Sequence, residues 1–337
     1  MSLIAARSGP APDAHVPHWL HGGGNLAWPV SNCYADMWIE TLHWLGLDPR
    51  PALVAALACD FEGDQWTLFK PLPGDLFALY GIDVAELNVW RSLPEQIAEQ
   101  LAAGRLLTVE VDAFHLPDTA GTSYRTRHQK TTVGTTAVDR EARHLHYFHD
   151  AGHHVLAGDD YDRVLTWGEA GDERLPPYVE IIKLDRLHAP PTAELRLRAA
   201  ALAREHLDRR PLANPYERAA EHHDAAVDEL AAAGGDFDEY VFAGLRQAGA
   251  ASQYAAVLLR WLAADLPELV SPAALFDELA RGAHTMLLRT ARAVRRRRVV
   301  AAAPIWSELA DLWGRATSSL DAALPAGPTR REHSRVW

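Results

Sequence analysis

Cysteine is scarce: Cys33 and Cys59 are the only two in 337 residues. Two thiols cannot build a disulfide framework or a cysteine-rich zinc centre, so a reducing, cytoplasmic setting is expected. Long apolar runs are missing too, and no stretch approaches the ~20 residues of a membrane span. The start of the chain, Met1 to Pro12, lacks a basic segment followed by an apolar one, so no secretory signal is expected. Positive charge is in deficit, with 33 Lys and Arg against 45 Asp and Glu and a net charge of −12. That argues against a general nucleic-acid binder, which needs a basic footprint. What is there is ordinary globular composition, 48% hydrophobic and 23% charged, enough for roughly two domains.

Punctuation along the chain divides it into four parts. Pro10, Pro12, Pro17 and the run Gly22-Gly23-Gly24 suggest a loose arm over 1–24. From 25 to 190 helical and strand patterns mix. Met37, Trp38, Thr41, Leu42 and Leu45 recur at helical spacing, with Ser31 or Asn32 as N-cap and Gly46 as the stop. Alternation predicts strands over 106–114, 131–138, 144–148 and 178–184, and a shorter one over 65–69. Helices first and strands after predict an α+β domain with a mainly antiparallel sheet. From 191 to 325 strand patterns vanish, and helices are predicted over 193–208, 215–233, 237–265, 272–298 and 304–323. The tail, 326–337, is expected to fray.

Cys33 carries the most chemistry. A cysteine in the first turn of a helix sits at the positive end of the helix dipole, which favours the thiolate. The unpaired N–H groups of that turn can hold an oxyanion. Cys59, at the end of an alanine-rich segment, reads instead as a small apolar core residue. A nucleophilic thiol needs a base, and the base an orienting group. If the 131–148 hairpin turns about Asp139, His128 and Asp150 face each other at its open end. Cys33, His128 and Asp150 are therefore the candidate catalytic set.

Other histidines, His144, His146, His149, His153 and His154, cluster near Asp150. Zinc would need three or four of them to converge and leaves Cys33 unexplained, so they read as solvated strand residues and no metal is expected. Arg292, Arg295, Arg296, Arg297 and Arg298 form the one basic cluster of an acidic chain. It is either a solvated helix end or a docking patch for an acidic partner.

The motifs around these residues resemble an uncharacterised bacterial family of papain-like proteins. They are Asn32-Cys33-Tyr34, Leu42 to Gly46, Gly63 to Thr67 (GDQWT), Glu110 to Thr119 (EVDAFHLPDT), His128 with Thr131-Thr132, and Tyr147 to Asp150. In the helical half only short runs match, such as Phe242 to Gln247 and Arg260 to Leu262. That family tends to be encoded near carrier-protein amino acid ligases, and is more distantly similar to the aminoacyltransferase H of butirosin biosynthesis. The resemblance implies a papain-like cysteine-protease-type fold, an N-terminal helix packed on an antiparallel sheet, followed by an all-helical region. It implies Cys33 as nucleophile, His128 as base and Asp150 as orienting acid. Asn32 or Asn25 would supply an oxyanion-hole amide, and Gln65, Arg246 and Gln247 are candidate substrate contacts.

The expected activity is thiol-dependent acyl transfer or hydrolysis of an aminoacyl thioester on a carrier protein. No bound cofactor is expected; the phosphopantetheine arm of the carrier would deliver the substrate, and the arginine cluster would dock the carrier. A cysteine peptidase or amidase would use the same triad. A non-catalytic binding module of the same shape would not need it. Oligomeric state is open.

Overall fold

The computed structural model describes residues 3–22, 26–166, 175–233, 237–296 and 302–325. The chain divides into two compact units, one of residues 1–49 and 70–190, the other of 50–69 and 191–337. The first is α+β and the second is helical. The segment 50–69, read from sequence as part of the α+β domain, therefore belongs with the helices.

The first unit is built on an antiparallel sheet. Its strands are β1 (Asp83–Glu86), β2 (Leu106–Asp112), β3 (Lys130–Asp139), β4 (His144–His149), β5 (Gly152–Ala157) and β6 (Val179–Lys183), in the order β1-β6-β2-β3-β4-β5. Central β3 is buried from Thr131 to Val138. Its Thr, Val, Ala and Gly side chains are those of a strand covered on both faces. The helix α1 (Cys33–Trp44) crosses one face. A Cβ on Gly134 would stand 2.7 Å from Met37 Sδ, so with Met37 placed as it is the glycine gives α1 its close approach. Cross-strand partners share a face. Thr108, Glu110 and Asp112 of β2, opposite Gly134, Thr132 and Lys130, therefore belong to the α1 face. Thr131 and Val133 belong to the other.

The described part of the arm, residues 3–22, is not loose. Ile4 and Ala5 pair with Val138 and Ala137 at the end of β3. Further along, the arm completes α1, which is buried continuously from Tyr34 to Leu42 and includes two carboxylates, Asp36 and Glu40, at 0% exposure. Buried carboxylates need donors. His15 Nε2 (2.8 Å), the His18 N–H (3.0 Å) and His21 Nδ1 bond Glu40. Asp36 accepts from Ser31 N (2.7 Å) and Ser31 Oγ (2.8 Å), and His21 Nε2 lies 3.3 Å from it. The arm is ordered because α1 carries charges that it neutralises.

The helices α2 (Pro73–Tyr80), α3 (Leu93–Ala102) and α4 (Gly158–Leu165) complete this unit. The second unit holds α5 (Thr192–Asp208), α6 (Pro215–Ala233), α7 (Gln247–Leu262), α8 (Val270–Arg296) and α9 (Ala303–Ala323). Expected helix 237–265 is broken by a π turn over Phe242–Arg246. Beyond it, α7 buries every residue but Arg260, and its alanines let α8 and the 3-10 segment Arg50–Ala58 pack against it. A short hairpin, Phe61–Glu62 with Gln65–Trp66, is tied to α6 by Arg218, which donates to Phe61 O (2.5 Å) and to the Asp60 carboxylate.

Candidate active site

Cys33 is the first residue of α1. Asn32 caps the helix, its Oδ1 accepting from Ala35 N at 3.0 Å while its carbonyl accepts from Asp36 N at 3.0 Å. Those bonds occupy Ala35 and Asp36 and leave the N–H groups of Cys33 and Tyr34 to serve an oxyanion. They also commit the Asn32 Oδ1 to the cap. Cys33 is a free, half-buried thiol. Cys59 belongs to the second unit, where its Sγ donates to Thr67 O at 3.2 Å and burial pushes the thiol up to about 11.

Beside the first turn of α1 lies a cleft of about 350 Å3. Tyr34, Lys70, Thr108, Glu110, Thr132 and Glu180 are among its lining residues. Glu180 is buried and saturated: Tyr34 OH and Thr108 Oγ1 donate to its Oε2, each at 2.9 Å, and Tyr178 OH to its Oε1 at 3.3 Å. Burial and the Glu180 charge push the Tyr34 hydroxyl upward, so it remains a donor. The Lys70 ammonium stands 4.9 Å over the Tyr34 ring.

His128 is oriented by Asp112, not Asp150. Its Nδ1 lies 2.5 Å from Asp112 Oδ2 and its ring stacks on Phe114 at 4.3 Å. Asp112 Oδ1 also accepts from Phe114 N (3.0 Å) and Gln129 N (3.2 Å). Burial opposes ionisation, but the His128 bond and these N–H groups hold the Asp112 carboxyl below its usual range. The expected pairing fails on register. Asp139 pairs with His144 and ends β3; its carboxylate accepts from Glu141 N and Ala142 N, and Arg143 turns the chain at φ 54°. Asp139 thus caps the turn instead of centring it. A bulge between Thr135 and Ala137 moves the register back by only one residue, and Gly134 faces Phe148. Continued, this register sets Thr132 across from Asp150, four residues or about 13 Å along the strand from His128.

A second imidazole–carboxylate pair went unread in the sequence. His149 Nδ1 lies 2.5 Å from Asp118 Oδ2, and its Nε2 2.8 Å from Thr131 Oγ1. Tyr147 OH donates to the other Asp118 oxygen. Burial opposes charge on His149, but the Asp118 bond and the charges of Asp150, Asp118 and Asp36 raise its pKa. Its position two residues from Tyr147 on β4, with Asp118 eight residues after Glu110, held the signal. Only the fold shows that they meet. Thr131 places this pair on the face away from α1, whereas Asp112 places His128 on the α1 face. Among the described residues, Cys33 Sγ has no hydrogen-bonded imidazole, and no group of three or more His, Cys, Asp or Glu could hold a metal ion.

Two family models cover the chain, the DUF1839 N-terminal domain over residues 16–184 and the DUF1839 C-terminal domain over residues 192–322. The chain belongs to the DUF1839 family. No curated protein matches it. The family boundary falls where this DUF1839 chain passes from β6 into α5. The remaining expected contacts of the DUF1839 chain lie in its second unit. Gln65 is exposed on the hairpin, Arg246 stands 5.8 Å over the Phe242 ring, and Gln247 is buried with Nε2 donating to Phe242 O at 3.1 Å. Arg292, Arg295 and Arg296 are exposed at the end of α8. Asn25, Arg297 and Arg298 lie outside the described residues, as does the tail 326–337. No helix among the described residues is long and apolar enough to cross a membrane.

Proposed function

We propose that this chain is a papain-like, thiol-dependent acyltransferase or hydrolase of the cytoplasm that acts on an aminoacyl thioester of a carrier protein. The observation that carries the reading is the position of Cys33. It opens a capped, buried helix beside a cleft, on the sheet face that also holds the His128–Asp112 pair. Asp112 takes the orienting role first expected of Asp150.

In the proposed reaction His128 takes the Cys33 proton, and the thiolate attacks the thioester carbonyl. The resulting oxyanion is met by the Cys33 and Tyr34 N–H groups. Collapse breaks the carbon–sulfur bond to the phosphopantetheine thiol, which receives the proton from His128. An amine then attacks the Cys33 thioester, forms the amide and returns a proton through His128 to Cys33; water in its place yields the free acid. Catalysis requires His128, held by Asp112, to reach the thiol in the substrate complex. Arg292, Arg295 and Arg296 would dock the acidic carrier. A second reading, a binding module without catalysis, is favoured by the absence of a described Cys33–imidazole hydrogen bond.

The deciding measurement is the alkylation rate of Cys33 against pH, followed by acylation of the protein by aminoacyl thioesters. Fast alkylation at pH 6, well below the free-thiol pKa of about 8.5, is expected. It should fall away in His128→Ala and Asp112→Asn, and Cys33→Ala should accept no acyl group. An ordinary thiol titration indifferent to His128 would overturn the catalytic reading in favour of the binding module. Amide turnover without any carrier would favour a peptidase.

A further inference from the structure

The second unit holds a cavity of about 40 Å3 that the Cys33 chemistry does not use. Phe61 and Trp66 come to it from the hairpin, Tyr240 from the short helix Phe237–Val241, and Trp306 from α9. Aromatic rings make up much of its wall. Phe61 and Trp66 have centroids 5.8 Å apart, and His223 and Trp306 5.3 Å apart. His223 is held by the Tyr240 hydroxyl, 3.0 Å from its Nδ1, and burial lowers its pKa, so it enters the wall as a neutral ring. Trp306 is 4% exposed, and its Nε1 has no hydrogen-bond partner among the described residues.

The charge balance of this cavity is one-sided. Among the described residues Asp64 is its only carboxylate and no Lys or Arg lines it; its other titratable groups are His222, His223 and Tyr240. Arg218, which ties the hairpin to α6, is already committed to Asp60 and Phe61 O. Aromatic faces attract cations through their quadrupole, and a carboxylate at the same opening adds to that field. A cavity needs about 10–15 Å3 to hold one water, so this one admits a group of roughly three or four heavy atoms. From these observations we infer that the second unit is a binding site for a small alkylammonium ion. The headgroup sits among Phe61, Trp66, Tyr240 and Trp306, with Asp64 as counter-charge. An oxygen next to the headgroup could satisfy the Trp306 N–H. The site is independent of whether Cys33 is catalytic.

Choline and its neutral isostere 3,3-dimethylbutan-1-ol separate charge recognition from apolar filling. Both are titrated into the full-length protein in mildly alkaline buffer, by calorimetry and tryptophan fluorescence. Choline should bind, and the isostere should bind roughly three- to tenfold more weakly. Asp64→Asn should reduce choline affinity by about the same factor and leave the isostere unaffected; Asp64 is exposed, so this variant keeps the fold. Trp66→Leu, checked for folding by circular dichroism, should abolish binding. Equal affinity for the two probes, no binding of choline at millimolar concentration, or binding unchanged in Asp64→Asn would overturn the inference.

Discussion

His21 bridges two buried carboxylates of one helix, with Nδ1 on Glu40 and Nε2 on Asp36. Burial alone would keep the ring neutral, but the hydrogen bonds and charges of both carboxylates raise its pKa to about 9. Glu40 is also desolvated, yet His15, His21 and the His18 N–H hold it down at about 2. His21 is therefore an imidazolium at neutral pH, locking the arm to α1.

The pH dependence of stability follows from these shifts. A raised histidine stabilises fully below its unfolded pKa near 6.5, and the contribution is lost as pH rises towards about 9. A lowered carboxyl acts in the opposite sense, so Glu40 contributes above about 4.5 and loses its contribution as pH falls towards about 2. His18 and His153, lowered chiefly by burial to about 4 and about 3, add a loss that starts as pH falls below 6.5. Denaturant midpoints across pH should peak near 6.5. In His21→Gln the loss between pH 6.5 and 9 should shrink sharply, and the protein should be less stable throughout, by about 3–5 kcal/mol at neutral pH, because two buried carboxylates lose their cation. An unchanged alkaline slope in that variant would show that His21 is neutral in the folded protein.

Gly134 sets how closely α1 approaches β3. Gly134→Ala should cost about 1–3 kcal/mol, since the new methyl meets Met37 Sδ. Met37→Ala removes that obstacle at its own cavity cost. The double variant should then be more stable than the two single losses added together, by about 1 kcal/mol in urea unfolding. Simple additivity would mean that the helix accommodates the methyl by another route.

The two imidazole–carboxylate pairs should respond in opposite ways. His149 and Asp118 are buried on the face away from α1, so Asp118→Ala should destabilise the fold by about 3–5 kcal/mol and leave the pH profile of Cys33 alkylation unchanged. His128 is exposed, so His128→Ala should change stability by less than about 0.5 kcal/mol and alter that profile. Thermal unfolding and iodoacetamide kinetics on the same samples read both. If Asp118→Ala shifts the Cys33 profile and His128→Ala does not, the base has been assigned to the wrong pair.

The long periodic elements were legible before the fold was known. Four of the five expected C-terminal helices follow from apolar spacing, the fifth being interrupted by a π turn. The strands expected over 106–114, 131–138 and 144–148 stand at 106–112, 130–139 and 144–149, and Cys33 lies in the first turn after Asn32. Register was not legible. It depended on one bulge after Thr135 and on Asp139 acting as a turn cap, features that leave no periodic trace. The order of the arm was hidden because it is set by Asp36 and Glu40, which resemble solvent-facing acids in a helical pattern. Segment 50–69 was assigned by adjacency, whereas its apolar residues, Leu53, Val54 and Leu57, are buried with the helical unit. The expected His128–Asp150 pairing is absent because the turn lies beyond Asp139, which displaces Asp150 from His128.

Asn32 separates the structural and chemical roles of the helix start. Its Oδ1 caps α1 through Ala35 N, so Asn32→Ala should cost about 1 kcal/mol. Asn32→Asp keeps an acceptor at the same place, and a negative charge at a helix N-terminus is itself favourable, so stability should hold or rise slightly. The same charge stands next to Cys33 in sequence and opposes formation of the thiolate. Alkylation of Cys33 at pH 6 should therefore slow severalfold in Asn32→Asp while the unfolding midpoint is maintained. In Asn32→Ala the midpoint should fall, with a smaller change in rate. If the two quantities move together in both variants, Cys33 reactivity depends only on the integrity of the first turn and not on its electrostatics.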